Sequence, residues 1–203
     1  MKKKTLNKDI GNSLRQSKGR FLSIMLLMML GVFSLVGLKV SGPDIEDTLN
    51  SYMESANATD LFVVAGYGLS DEDQAEIKQE NADVEFGYFV DTVVGDTPSA
   101  IRVFSQTKDI STFELVSGEF PTKSNEVALA QTMADQYKIG DTIRLNESGS
   151  STLLKEHEFM ITGFVNSSEI LSNTIKGVSS AGSGDLSGFA VVPKDAFDSE
   201  VYT

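Results

Sequence analysis

Apolar residues form one unbroken block near the N-terminus and afterwards recur only in short runs separated by polar turns. The block, Phe21 to Leu38, reads FLSIMLLMMLGVFSLVGL and holds fourteen apolar residues, two Ser, two Gly and no charge. As a helix rising about 1.5 Å per residue it covers roughly 27 Å, just enough for a hydrocarbon core about 30 Å thick. The pattern therefore predicts a transmembrane helix over 21–38, with Lys39 placed to reach the headgroups. A cleavable signal peptide and a buried soluble helix pass the same first test. The run is long for a signal peptide, and Gly37-Leu38-Lys39-Val40-Ser41 is a poor cleavage site, so an uncleaved anchor is the expectation. Ser23, Gly31 and Ser34 fall near one face, where small residues let a neighbouring helix approach.

Beyond the span the pattern changes period repeatedly. Gly42-Pro43 punctuates the exit, and Asp44 is placed to cap a helix from Ile45 to about Ser55. Asp60 to Ala65 (DLFVVA) is rich in β-formers and predicts a buried strand ended by Gly66-Tyr67-Gly68. Ser70 with Asp73 gives a capping-box start to a helix through Gln79. Strands are expected over 84–94 and 100–105, joined as a hairpin by the turn 95–99. Further strands are expected over 125–130, 142–145, 158–165 and 189–192. A helical stretch is expected to Tyr137, a turn at Ile139-Gly140-Asp141, and a final short helix from Pro193-Lys194-Asp195. The strand at 142–145 should pair with that at 158–165 across the polar loop 146–155. Residues 177–188 (GVSSAGSGDLSG) read as a flexible Gly/Ser stretch and a candidate contact region. Mixed strands and helices with hairpins predict an α+β fold for 39–203, as one domain or two small subdomains.

Charge fixes an orientation. Residues 1–20 carry seven basic groups against Asp9 alone, giving +6, while the remainder of the chain carries −18 within a total of −12. Lysine and arginine stay on the cytoplasmic side, so residues 1–20 are expected in the cytoplasm and 39–203 outside the cell membrane. Leu6, Ile10 and Leu14 recur at helical spacing, which suits an amphipathic segment along the inner leaflet. An acidic outer domain repels phosphate backbones and excludes nucleic acid as the natural partner.

Chemistry is sparse. Cysteine is absent, which removes disulfides, thiolate metal sites and cysteine nucleophiles. His157 is the sole histidine and cannot build a multi-imidazole site. Gly66-Tyr67-Gly68 lacks the further glycine and lysine of a phosphate loop, and Asp71-Glu72-Asp73 lacks the spacing of a calcium loop. Asn57-Ala58-Thr59, Asn146-Glu147-Ser148 and Asn166-Ser167-Ser168 match the glycosylation pattern, a frequent coincidence. No catalytic, cofactor-binding or metal-binding residue is assigned, and no cofactor is expected. The residues alone describe an outer binding or coupling domain held at a membrane.

Several stretches taken in order carry a resemblance. Arg20-Phe21-Leu22-Ser23-Ile24 with Gly31 opens the span, and Tyr52-Met53-Glu54 precedes Asp60-Leu61-Phe62-Val63-Val64 and Gly68-Leu69-Ser70. Ser117-Gly118-Glu119-Phe120-Pro121 is followed by Asn125-Glu126-Val127-Ala128-Leu129, then Ile139-Gly140-Asp141-Thr142-Ile143, then Phe159-Met160-Ile161-Thr162-Gly163-Phe164-Val165. In this order the blocks resemble the FtsX-like ABC transporter permeases of Gram-positive bacteria, with their MacB-type extracytoplasmic core domain. The resemblance implies an N-terminal portion of a permease whose outer domain transmits ATP-driven motion to exported cargo or a cell-envelope partner. It implies a separate cytoplasmic ABC ATPase as partner, a pairing of permeases, the lipid bilayer as surroundings, and no catalytic residue in this domain. Family members have at least three further spans that grip the ATPase, so this chain is expected to be a fragment or a truncated reading frame. A stand-alone signal-anchored surface protein that binds a ligand or partner is the alternative, and a membrane-tethered enzyme a distant third.

Overall fold

The computed structural model describes residues 11–12, 17–147, 152–172, 174, 176–199 and 202–203. Leu6, Ile10 and Leu14, which define the expected inner-leaflet stripe, lie outside the described residues. The chain divides into two compact units, Met1–Ser51 and Tyr52–Thr203.

The first unit is built on helix α1, Lys18–Ser55, whose last turn belongs to the second unit. Among the described residues it is the one helix long and apolar enough to cross a membrane, a property that an anchor and a signal sequence share. None of its residues is buried. The expected break at Gly42-Pro43 does not occur, because Pro43 lies inside the helix. Proline withdraws the N–H that would bond the Lys39 carbonyl and its ring crowds that carbonyl, but this stretch is exposed, so the freed carbonyl is open to its surroundings. Nearby hydroxyls add bonds of their own, Ser41 Oγ to the Gly37 carbonyl at 2.7 Å and Thr48 Oγ1 to the Asp44 carbonyl at 2.7 Å.

Among its described residues the second unit holds one short α-helix, two 3-10 turns, Gln131–Met133 and Lys194–Ala196, and seven strands. Helix α2, Asp71–Ile77, starts at the expected capping box: the Asp73 N–H donates to Ser70 Oγ, and the Ser70 N–H donates to Asp73 Oδ2. The strands are β1 Phe89–Val94, β2 Ala100–Ser105, β3 Glu114–Gly118, β4 Glu126–Ala130, β5 Thr142–Glu147, β6 Glu158–Asn166 and β7 Leu186–Val192. The hairpin of β1 and β2 pairs Thr92 with Ile101, and β5 pairs antiparallel with β6 through Ile143 and Phe159, both as the sequence predicts. The non-local pairings are mixed: β2 runs parallel to β7 and β4 parallel to β6, while β4 and β7 are antiparallel. Because β5 also pairs with β1, six strands close into a ring in the order β1-β2-β7-β4-β6-β5. β3 lies against the far half of the β6 edge that β5 occupies at its start.

Alternation places the core inside this barrel. Ile101 and Val103 of β2, Ile143 and Leu145 of β5, and Phe159 and Ile161 of β6 are buried, while Arg144, Glu158 and Met160 between them are exposed. Every residue of β4 is buried, and β7 is buried from Gly188 to Val192.

Five expectations need correction. Asp60–Ala65 is neither a strand nor buried. β1 begins at Phe89 rather than Val84, although Tyr88 and Ser105 still exchange bonds. After β4 only a 3-10 turn, Gln131–Met133, replaces the expected helical stretch. β3 was not anticipated: its five residues are all exposed, so it has no alternation to read. The stretch 177–188 is hydrogen-bonded rather than loose. Leu186–Gly188 lies in β7, Val178 bridges Asp185, Ala181 is buried, and the Ser183 N–H donates to the Pro98 carbonyl at 3.0 Å. Of the two arrangements expected, one domain or two small subdomains, the described strands follow the first and form one sheet in one unit.

Candidate functional site

The blocks singled out in the sequence converge on β6. Gly118 and Gly163 are register partners where β3 meets β6. A Cβ on Gly163 would lie 2.7 Å from the Glu119 carbonyl oxygen and 2.8 Å from that of Ser117, so only glycine lets the two strands close. The turn at Ile139-Gly140-Asp141 is tied to the same strand, with the Gly140 N–H donating to the Ile161 carbonyl at 2.8 Å and the Ile161 N–H to the Asp141 carbonyl at 2.9 Å. Glu126 anchors the approach to β4: its carboxylate accepts from Lys123 Nζ at 2.7 Å and from the Thr122 and Lys123 N–H groups at 2.9 and 3.2 Å. The Lys123 bond and those N–H groups hold its carboxyl down at about 2. These blocks brace the barrel and bring no reactive pair together.

A second assembly terminates α1. Asn57 has φ 47°, the Asn57 N–H donates to the Glu54 carbonyl and the Ala58 N–H to the Met53 carbonyl, which is a Schellman stop with Asn57 in the left-handed position. The exposed ends are then taken up by the segment 109–112. The Ser111 N–H donates to the Asn57 carbonyl at 2.8 Å, the Thr112 N–H to the Ala56 carbonyl at 2.9 Å, and Asn57 Nδ2 to the Asp109 carbonyl at 2.7 Å. Ser111 Oγ accepts from the Thr59 N–H at 3.0 Å and donates to the Glu169 carboxylate. The last turn of α1 is thereby fixed to the loop before β3. Glu85 braces the same loop by accepting from the N–H groups of Lys108, Asp109 and Ile110 at 2.8–2.9 Å. Desolvation pushes the Glu85 carboxyl up, but those three donors and Lys194 outweigh it and the net shift is downward.

The third feature is apolar. Leu61, Phe62, Val63 and Val64 are 77, 54, 60 and 49% exposed, and Tyr67 is fully exposed. Phe62 touches the Phe89 ring at 6.0 Å, and the Ala65 N–H donates to the Thr203 carbonyl at 2.9 Å. Tyr202 stacks with Phe86, packs at a tilt against Tyr88 and bridges Leu69, and the Phe89 N–H donates to Thr203 Oγ1, so residues 202–203 are held between β1 and the segment 65–69.

The polar pairs are structural. Arg102 forks onto Asp91 at 2.6 and 2.9 Å, lies over the Phe89 ring at 5.0 Å, and donates to the Val178 carbonyl at 3.2 Å. Burial pushes the Asp91 carboxyl up, yet the Arg102 bonds and the Ser180 N–H outweigh it and lower it overall. The pair therefore pins the loop 177–185 onto the barrel. His157 is exposed, with Nδ1 3.2 Å from the Leu145 carbonyl. Gly66-Tyr67-Gly68 is a turn closed by the Gly68 N–H on the Ala65 carbonyl. Asp71 to Asp73 sit in the first turn of α2, where Asp73 caps. Each asparagine of the three glycosylation patterns uses its Nδ2: Asn57 on Asp109, Asn146 on Gly95 and Asn166 on Glu114. Among the described residues no three His, Asp or Glu side chains converge as a metal would require.

Sequence reasoning missed the α1 terminus and the bareness of Leu61–Tyr67. The first had a readable signal, since asparagine just past a helix is a familiar left-handed stop. The second had none, because the run looks like any strand that finds a partner. Comparison with protein-family models, curated proteins and solved structures finds no match for this chain.

Proposed function

We propose that this chain is the first span and outer domain of an FtsX-like ABC transporter permease, in which a separate cytoplasmic ATPase drives movement of the outer domain. The moving domain acts on exported cargo, whether peptide or lipid, or on a cell-envelope partner. The observation that carries this reading is the continuity of α1. Its 38 residues extend about 57 Å, against about 30 Å for a hydrocarbon core. A helix that only anchors has no need of the further turns, nor of a terminus fastened by backbone and side-chain bonds from 109–112. A helix that carries displacement needs both, because slack at either point would absorb the motion. The basic flank before Phe21 supports a cytoplasmic N-terminus, the side on which ATP is hydrolysed.

A second reading, a stand-alone surface protein that binds a partner, draws on the exposed run Leu61–Tyr67. Sequencing the gene past the Thr203 codon separates the two. Further apolar spans in frame or just beyond a frameshift, beside an ATP-binding-cassette gene, are the result expected for the permease. A stop codon at that point with no such neighbour overturns it.

A further inference from the structure

The successive backbone N–H groups of residues 108–112 donate to two kinds of acceptor. The first three converge on the Glu85 carboxylate, and the last two meet the Asn57 and Ala56 carbonyls just past α1, at the negative end of that helix. Ser111 sits where the donors change partner. It is buried, and its φ of 48° is a left-handed backbone that a serine keeps only when its surroundings hold it there. The Thr59 N–H donates to its Oγ, that Oγ donates to Glu169, and Thr107 Oγ1 donates to its carbonyl at 3.0 Å.

The two ends of this segment are fixed separately. The Gln106 N–H donates to the Val192 carbonyl at 2.8 Å, and Phe113 is buried against the rings of Phe104 and Phe189. Residues 107–112 are therefore a local element set in a rigid frame, able to open while the barrel stays closed. Three N–H groups on one carboxylate require one backbone arrangement, and that arrangement aims the two N–H groups that follow. Lys194 Nζ, 3.5 Å from the carboxylate, steadies it from outside the segment.

The geometry points to 107–112 as a two-state clasp on the end of α1, in which the bonds to Glu85 and those to Ala56 and Asn57 form and release together. Glu85 acts on α1 through the backbone of the clasp. Coupling of this kind is reciprocal: a displacement at the end of α1 loosens Glu85, which stands just before β1, and loss of Glu85 frees the end of α1. Every group involved lies within Tyr52–Thr203, so the inference holds for a permease and for a stand-alone surface protein alike.

The test is hydrogen exchange, resolved by residue, on the full chain in nanodiscs of zwitterionic lipid. Glu85→Gln keeps the shape of the side chain and removes its charge. It should speed the amides of 108–112 by one common factor of about tenfold or more, including Ser111 and Thr112, whose N–H groups bond elsewhere. Asn57→Ala removes the bond to the Asp109 carbonyl from the other side and should also speed all five by a common factor. The amides of Val127–Ala130 in β4 should keep their rates in both variants. Glu126→Gln, which weakens a carboxylate held by backbone donors elsewhere, should leave 108–112 unchanged. Acceleration of 108–110 alone in Glu85→Gln, or of 111–112 alone in Asn57→Ala, would overturn the inference. Equal acceleration of Val127–Ala130 would do the same, because Glu85 would then support the whole barrel. Should Glu85→Gln fail to fold, Asn57→Ala decides by itself: fast exchange at Lys108 upholds the clasp, and an unchanged rate there ends it.

Discussion

Val127–Ala130 of β4 and Leu61–Val64 are both runs of four apolar residues next to an acidic one, and both read as buried strands. In β4 every residue is buried, because β6 lies along one edge and β7 along the other. Among the described residues the other run has no strand on either side, and its side chains stand bare. Burying a leucine or valine side chain contributes about 1.5–3 kcal/mol, so the two runs differ greatly in what they give the fold. An apolar run declares that something must cover it. What covers it is settled by ring closure far away in sequence, or by another molecule.

Substitutions at matched positions put that contrast to the test. Leu129→Ala should cost about 3 kcal/mol in chemical denaturation followed by near-ultraviolet circular dichroism of the tyrosines, since it empties space in a fully packed strand. A loss under about 1 kcal/mol would mean that β4 is less tightly held than its burial indicates. Glu126→Gln should cost about 2 kcal/mol, because a buried carboxylate accepting several bonds is replaced by a poorer acceptor. The wild-type chain should show the same interaction through pH. The folded-state value of Glu126 is depressed from 4.5 to about 2, so its contribution is complete above pH 4.5 and fades as pH falls from there to about 2. In Glu126→Gln that part of the acid transition should be missing. Asn57→Ala should cost about 1 kcal/mol, combining a left-handed backbone that alanine resists with the lost bond to Asp109. Asn57→Gly should recover part of it. Leu61→Ala should change stability by less than about 0.5 kcal/mol, and a loss as large as that of Leu129→Ala would erase the distinction between the two runs.

Local signals were legible wherever neighbours in sequence complete the interaction. The Ser70/Asp73 box, the 95–99 hairpin and the alternation of Ile143 with Leu145 all lie within a few residues of their partners. The mixed ring was not legible, because β2–β7 and β4–β6 are parallel pairings across long separations that no local period encodes. Gly42-Pro43 looked like a helix end, yet one missing N–H on an exposed helix is tolerated. Gly163 stands out in its motif, but the reason for it, the backbone of Ser117 and Glu119 within 3 Å of where a side chain would begin, lies in β3 and the residue after it, which the pattern does not reveal. At the end of α1, Asn57 had a local cue, whereas Ser111 and Glu169 are distant in sequence and meet only in the fold.

The offset between β3 and β6 has a consequence for solubility. With β5 closing the ring, each of the other six strands has neighbours on both edges, and among the described residues β3 is paired along one edge alone. That edge is short, begins with Glu114, slips register between Leu115 and Ser117, and ends in a glycine with φ 80°. A bulged, twisted and charged rim is a poor template for a second barrel, so the strand most at risk of stacking chain on chain is the one shaped against it.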